Sequence, residues 1–177
     1  ADVPLKGLDF SLKALKKLKK DFPNIHLVVI GTIKKGGHTE KLIKKLGIDN
    51  DVIFKSNLTK NEIKKCYSKS SIAIVSSLYE GFGYPVIEAM SCEVPLIATN
   101  VSSIPELTLK FAKLIEPKNE EMIYESVKDI LANYDKYKKI AFQGREHVIN
   151  KFNWIKITQE YENIIFETIK DFKNANV

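Results

Sequence analysis

Short apolar runs rich in β-branched residues alternate with amphipathic helical segments, and this alternation constrains the fold more than any other feature of the sequence. The runs lie at residues 25–30, 52–54, 72–75, 96–99 and 112–115. Each run is too short for a helix, and the almost unbroken apolar run at residues 25–30 is typical of a strand covered on both faces in a parallel sheet. The repeated units therefore predict an α/β fold, a Rossmann-like, doubly wound parallel sheet with helices on both faces.

Helical patterns fill the intervals between these runs. Leu8, Leu12 and Leu15 lie on one face of a first helix, which Pro23 ends. Thr59 and Glu62 form a capping box that opens another helix. The other predicted helices run from a Gly36-Gly37 turn to Gly47 and over residues 85–92, 122–134, 137–150 and 154–173, the last capped by Asn153.

The alternation also predicts a strand before the first helix, and the sequence contains none there. A chain of 177 residues, 44% of them hydrophobic, is long enough for one sizeable core and short for two ordinary domains. We therefore expect one domain over residues 1–177. Its first strand, and a preceding domain, are expected to belong to a longer protein.

Composition excludes several classes of protein. The apolar fraction is too high for a disordered chain, and glycine and proline are too few for a collagen-like one. No apolar run approaches the roughly 18–20 residues of a membrane-spanning helix, and we see no leader, so we expect a cytoplasmic protein. Cys66 and Cys92 form no disulfide framework and have no metal-ligand spacing with His26, His38 or His147, so we expect no metal.

The positive charge is concentrated in the first part of the chain. The net charge is +6, and up to Ser70 there are 16 lysines against 7 acidic residues. Such a surface suits nucleic acid or an anionic membrane. Arginine, however, makes the bidentate contacts of specific nucleic-acid recognition, and only Arg145 among the 28 basic residues is an arginine. We expect a solvated lysine surface, peripheral at most on the cytoplasmic membrane face, and no nucleic-acid partner.

The segment after the third predicted strand has the residues of a ligand-binding loop. Gly81 and Gly83 allow a ligand to approach the backbone closely, and the helix beginning at Pro85 presents N–H groups and a positive dipole end to a phosphate. Glu80 lies in the loop and Glu88 lies one turn into the helix, so we expect two carboxylates to face one cleft. Because carboxylates accept hydrogen bonds from vicinal hydroxyls, this pair suits a nucleotide sugar.

The same residues also fit a structural role. Gly81 and Gly83 equally form a tight turn from strand to helix, with Glu88 favoured by the helix dipole. Spacing alone leaves these two interpretations open. Phe82, between the glycines, fits an anchor for the loop better than a stacking platform for a ligand.

Several motifs in the chain resemble the glycosyl transferases group 1 family, whose members are retaining enzymes of the GT-B fold. The block from Glu80-Gly-Phe-Gly to Glu88-Ala-Met resembles the two-glutamate motif of that family. Further segments similar to the family, in its order, are Lys6-Gly-Leu-Asp and residues 27–31, 52–54, 95–99, 104–106 and 152–154. The resemblance spans nearly the whole chain, and the two-glutamate block is its most specific part.

The resemblance implies that the chain is the C-terminal, donor-binding half of such an enzyme. It implies catalytic roles for Glu80, which would bind the donor sugar, and for Lys6, which would bind the diphosphate. The implied donor-binding residues are Gly81, Phe82, Gly83, Tyr84, Glu88, Leu58 and Gly31. Among these, Glu88 would bind the ribose and Leu58 would lie against the base. Considered without the resemblance, Lys6 also fits an ordinary surface lysine and Leu58 a core residue.

The implied reaction is retaining transfer of a sugar from a nucleotide diphosphate sugar to a hydroxyl acceptor, in the synthesis of a surface polysaccharide or glycolipid. The implied partners are the donor and the N-terminal acceptor domain of the same protein, with no cofactor or metal. The basic surface leads us to expect one further partner, an anionic membrane that carries a lipid-linked acceptor. We expect the 177-residue chain alone to be inactive. The alternatives are a non-catalytic nucleotide-sugar binding module, a GT-B epimerase and, less favoured, a nucleic-acid-binding domain.

The sequence departs from the family pattern at a few positions. The arginine that usually precedes the phosphate-binding lysine is absent, since Ala1 or a missing residue occupies its place. Ser56, Glu93 and the pair Ser102-Ser103 stand where glycines are common in the family. These departures concern loop geometry and base specificity more than the two glutamates.

Overall fold

The structure, a computed structural model, describes residues 3–175 as five strands and eight α-helices. The strands are β1 (Leu27–Ile30), β2 (Val52–Lys55), β3 (Ala73–Val75), β4 (Leu96–Thr99) and β5 (Lys113–Ile115). The helices are α1 (Leu8–Asp21), α2 (His38–Leu46), α3 (Lys60–Ser68), α4 (Tyr84–Ser91), α5 (Ile104–Thr108), α6 (Glu120–Ala132), α7 (Tyr134–Lys151) and α8 (Trp154–Ala175). The position of Ala1, discussed above for the absent arginine, lies outside the described residues.

All strand pairs are parallel, and they form two separate groups. Strand β1 pairs with β2, with Leu27 opposite Val52. Strand β4 lies between β3 and β5, with Leu96 opposite Ala73 and Ile97 opposite Lys113. In the described part of the chain no hydrogen-bonded ladder joins β1 to β3. The predicted α/β class with parallel strands is confirmed, with the sheet divided in two.

Helices cover both faces of the strands. On one face, Ala14 and Leu18 of α1 pack with β4, β5 and α6. On the other face, α4 and α7 pack against β3 and β4. Leu12 and Leu15 of α1 also pack against α2 and the β1–β2 pair. Helix α1 therefore connects the two groups of strands across one face.

Some element boundaries differ from the predicted ones, and local hydrogen bonds explain why. The amide of Ile25 donates to the carbonyl of Phe22 in a turn, so the first strand begins at Leu27 and not at residue 25. The side chain of Asn119 accepts from the amide of Met122, so α6 begins at Glu120 and not at residue 122. Helix α5 has only five residues, too few to show the apolar periodicity by which helices are predicted.

Helix α8 exposes large apolar side chains. Trp154 is 80% exposed and Phe172 is 71% exposed. The predicted cap at its start is confirmed, because Oδ1 of Asn153 accepts from the amide of Ile155 at 2.9 Å. Within residues 3–175, no helix combines the length and apolar character that crossing a lipid bilayer requires.

Candidate active site

The segment before α1 lies against the carboxyl end of β3. The amide of Leu78 donates to the carbonyl of Leu5 at 2.7 Å, and the Ser76 hydroxyl donates to the carbonyl of Lys6 at 3.2 Å. Gly7 takes a left-handed φ of 61° and is buried against Ser76. These contacts hold the backbone of Lys6 beside the loop that follows β3.

Lys6 and Glu80 form an ion pair across this junction. Nζ of Lys6 lies 2.7 Å from Oε1 of Glu80, and the Ser77 hydroxyl donates to the same oxygen at 2.7 Å. Glu80 is only 8% exposed, and a buried carboxylate requires such partners. Both of these contacts fall on Oε1, so neither of them occupies Oε2.

The glycine loop connects β3 to α4, and a hydrogen bond from Ser103, the residue before α5, holds it in place. Gly83 caps α4 at φ 100°, and a Cβ there would lie 3.0 Å from Cδ1 of Leu107. The Ser103 hydroxyl donates to the carbonyl of Phe82 at 2.7 Å and lies 3.3 Å from the carbonyl of Glu80. The capping residue of α4 is a glycine, and within residues 3–175 no side chain makes a capping hydrogen bond at this helix N-terminus, so its amides are available to an anion.

Phe82 packs against other aromatic rings. Its ring centroid lies 5.0 Å from that of Tyr84 and 5.9 Å from that of Phe152, the latter in an edge-to-face arrangement. Phe152 lies between α7 and α8. These contacts match the interpretation of Phe82 as a loop anchor, although the side chain is still 41% exposed.

Glu88 lies on the exposed side of α4 and has a partner that the sequence did not predict. The Tyr67 hydroxyl lies 3.3 Å from Oε2 of Glu88 and 3.3 Å from the carbonyl of Pro85. Burial, together with the negative charge of Glu88, raises the pKa of Tyr67. The hydroxyl therefore keeps its proton at neutral pH and can donate to Glu88. No motif marks Tyr67, which ends an ordinary apolar pattern in α3.

Four predicted site residues meet at one cavity of about 1030 Å³: Lys6, Leu58, Glu80 and Glu88. The other five predicted residues, Gly31, Gly81, Phe82, Gly83 and Tyr84, are not part of its lining. Gly31 follows β1, and its amide continues the β1–β2 ladder by donating to the carbonyl of Lys55 at 2.8 Å. Among the described residues, no three His, Cys, Asp or Glu side chains gather as a metal site would require.

The adjacent serines Ser102 and Ser103 have different backbone conformations, and we predict opposite effects for glycine at each. Ser102 has a left-handed φ of 49°, so Ser102→Gly should raise the free energy of unfolding by about 0.5–1 kcal/mol. Ser103 has a φ of −75° and donates to the loop, so Ser103→Gly should lower it by about 1–2 kcal/mol. Urea unfolding of both variants measures this difference, and shifts of the same sign would contradict it.

A parallel α/β domain with a glycine loop and a glycine-capped helix at the carboxyl ends of its strands is a Rossmann-like ligand-binding domain. The profile of the glycosyl transferases group 1 family matches residues 2–147. The chain belongs to this family, and its fold matches the Rossmann-like domains of GT-B proteins.

Individual relatives agree with this assignment. The chain is 30% identical over 157 residues to the MMP alpha-(1->4)-mannosyltransferase of Mycolicibacterium hassiacum, covering 87% of this chain and 38% of that protein. It is 28% identical to the crystal structure of the C-terminal domain of a glycosyl transferase group 1 family protein from Francisella tularensis, with a TM-score of 0.75, covering 86% of this chain and 82% of that one. The Anabaena protein HepE, solved in complex with UDP-glucose, is 20% identical with a TM-score of 0.82, covering 93% of this chain and 46% of that one.

The chain spans less than half the length of the curated relatives that it matches. It covers between 36% and 47% of the length of four of them. The Francisella tularensis structure, of which it covers most, is itself described as a C-terminal domain.

Proposed function

We propose that this chain is the donor-binding half of a retaining glycosyltransferase, which moves a sugar from a nucleotide diphosphate sugar to a hydroxyl acceptor. The observation that carries the proposal is the meeting of Lys6, Glu80 and Glu88 at one cavity beside the open N-terminus of α4. Membership of the family, the mannosyltransferase relative and the UDP-glucose bound by HepE support it.

The contacts suggest a role for each residue. Oε2 of Glu80 accepts a hydrogen bond from a hydroxyl of the donor sugar, while the buried contacts on Oε1 hold the carboxylate in place. The ammonium of Lys6 has three donors, so it can contact the diphosphate and Glu80 together. Glu88, held by Tyr67, accepts from the ribose hydroxyls. Leu58 contacts the base.

The diphosphate is the leaving group, and its negative charge grows in the transition state. In the proposed mechanism, Lys6 and the backbone amides at the start of α4, including that of Tyr84, stabilise this charge. Fixed donors of this kind act without reorganisation during the reaction. We propose that they do so without a metal ion. In this scheme Gly81, Phe82, Gly83 and Gly31 shape the donor site through their backbone.

The remaining features of the proposal concern the whole protein. An N-terminal domain supplies the acceptor site, so the 177-residue chain alone binds donor and transfers nothing. The lysine-rich first part of the chain holds the protein at the cytoplasmic face of an anionic membrane, where each well-placed lysine adds about 1 kcal/mol. A lipid-linked acceptor at that surface fits the synthesis of a surface polysaccharide or glycolipid.

Calorimetry of the 177-residue chain with UDP, GDP and UDP-glucose tests donor binding. We expect one of the nucleotides to bind, and Glu88→Gln to weaken that binding about tenfold, since a hydrogen bond to a charged group contributes roughly 1.5–3 kcal/mol. Glu125→Gln, on the exposed side of α6, is the matched control and should leave affinity unchanged. Equal affinities for the wild type and Glu88→Gln would refute the ribose role. Binding by the full-length protein without sugar transfer would favour a non-catalytic module.

A further inference from the structure

A chain of aromatic rings joins the glycine loop to α7. Phe82 of the loop packs edge-to-face with Phe152, with 5.9 Å between the ring centroids. Phe152 in turn lies edge-to-face with the imidazole of His147 at 6.4 Å, and the ring of Phe111 lies 5.4 Å from the same imidazole. Ring pairs at these separations attract one another. Two ring contacts therefore connect His147 to the loop beside the candidate active site.

The imidazole of His147 has a buried nitrogen without a partner. Nε2 is shielded from solvent, and within residues 3–175 no group forms a hydrogen bond with it. A neutral imidazole can carry its proton on Nδ1 and leave Nε2 unprotonated, whereas an imidazolium carries a proton on both nitrogens. Protonation of His147 would therefore leave a charged N–H donor buried without an acceptor among the described residues, which is unfavourable.

The surroundings of His147 also oppose its protonation. Burial of the ring, followed by the positive charge of Lys151 one turn along α7, lowers the pKa of His147 below its ordinary value of 6.5. Nζ of Lys110 lies 5.8 Å from the centre of the ring of Phe111, so this neighbour also brings a cation. Helix α4 packs against α7, and neither of its titratable side chains contributes to the lowered pKa. These side chains are Tyr84 and Glu88.

We propose that His147 is a positioning residue for the glycine loop, whose neutral imidazole holds Phe152 against Phe82 and whose protonation releases both rings. Phe152 caps the end of α7, where its amide donates to the carbonyl of Val148 at 2.9 Å. Displacement of its ring removes one of the contacts that hold the loop at the start of α4. The effect on donor binding rests on the proposed function, whereas the coupling of His147 to the loop does not.

The two states of the loop determine how it should depend on pH. In the released state the imidazole is solvated and has its ordinary pKa of 6.5, whereas in the packed state the pKa is lower. The released state therefore binds a proton more readily, and its population rises as the pH falls below that value. At higher pH the imidazole is neutral in both states, and the packed loop keeps its full stability.

Hydrogen exchange of the 177-residue chain at about pH 7.5 and about pH 5.5 tests the coupling. For amides of residues 81–87, the exchange rate of the wild type relative to His147→Phe should rise at least about threefold at the lower pH. Comparison of the two proteins at one pH cancels the intrinsic effect of pH on exchange. Phenylalanine keeps a ring beside Phe152 but cannot be protonated. His38→Phe, which removes an exposed histidine of α2, is the matched control and should follow the wild type.

Calorimetry with UDP and GDP at the same two pH values measures the consequence for the donor site. Acidification should weaken nucleotide binding by the wild type at least about threefold more than binding by His147→Phe. The terminal phosphate of the nucleotide also takes up a proton near this range. The difference between the two proteins removes that contribution, because both bind the same nucleotide.

Several outcomes would overturn the proposal. One is an identical response of the loop amides in the wild type and His147→Phe. Another is equal acceleration of exchange in α6, which would indicate general unfolding in place of release of the loop. If the loop amides respond but neither nucleotide binds at either pH, the positioning role is supported and the proposed donor binding is refuted. If His147→Phe fails to fold, His147→Gln, which is also uncharged, gives the same comparison.

Discussion

Gly7→Ala is expected to lower the free energy of unfolding by roughly 3 kcal/mol or more. Gly7 has a φ of 61°, and a Cβ there would lie 2.0 Å from the carbonyl oxygen of Ser76. The left-handed backbone alone costs an alanine about 1–2 kcal/mol. The overlap adds to this cost, because its partner is backbone at the end of β3 and cannot turn away as a flexible side chain would.

The same substitution should also disturb the candidate active site. To relieve the overlap, residues 5–7 must move away from β3, which separates Lys6 from Glu80 and weakens nucleotide binding in calorimetry. Gly36→Ala is the matched control, since Gly36 has a similar φ of 71° but nothing lies within 4 Å of an added Cβ. It should cost only the conformational penalty of about 1–2 kcal/mol. Equal losses for the two variants in urea unfolding would contradict the role assigned to the Ser76 contact.

Glu80→Gln is expected to lower kcat/KM of the full-length protein about 100-fold, the scale measured when one preorganised electrostatic contact is removed from an active site. The amide has nearly the shape of the carboxylate, so the variant should fold. It loses the negative charge that accepts hydrogen bonds from Lys6, Ser77 and, in the proposed function, the donor sugar. Sugar transfer by the purified full-length protein, measured with the donor that calorimetry identifies, gives the comparison.

Two measurements separate this effect from a loss of structure. The thermal unfolding midpoint of Glu80→Gln should stay close to that of the wild type. Glu125→Gln changes the same charge at an exposed position of α6 and should leave kcat/KM unaltered. Wild-type kcat/KM in Glu80→Gln would remove Glu80 from the catalytic residues.

The parallel α/β class could be predicted because each strand is a short apolar run with its own turn residues around it. Element ends were less predictable, since they depend on single hydrogen bonds such as that of Asn119 to Met122. The family pattern also indicated which residues adopt a left-handed backbone conformation. Glu93 and Ser102, at which the resemblance to the family leads one to expect glycine, both have left-handed φ values, 56° and 49°. Those glycines mark a conformation that L-residues adopt at a cost.

The candidate site was predictable where its residues are close in sequence. Glu80 lies in the loop and Glu88 lies in the helix that follows it, so one short segment supplies both carboxylates to the cavity. The Ser103 hydroxyl and the Tyr67 hydroxyl were missed, because each acts on the loop or on α4 from a different element. Serine and tyrosine at those positions have no distinguishing pattern along the chain.

The sequence by itself determined the class of fold, the family and the two carboxylates of the candidate site. These depend on local periodicity and on motifs within single segments. Only the tertiary structure decided that Lys6 pairs with Glu80, 74 positions away, and that β1 and β3 belong to separate groups of strands. Such contacts depend on how the chain crosses the sheet and where Gly7 turns it against β3, which no local pattern specifies.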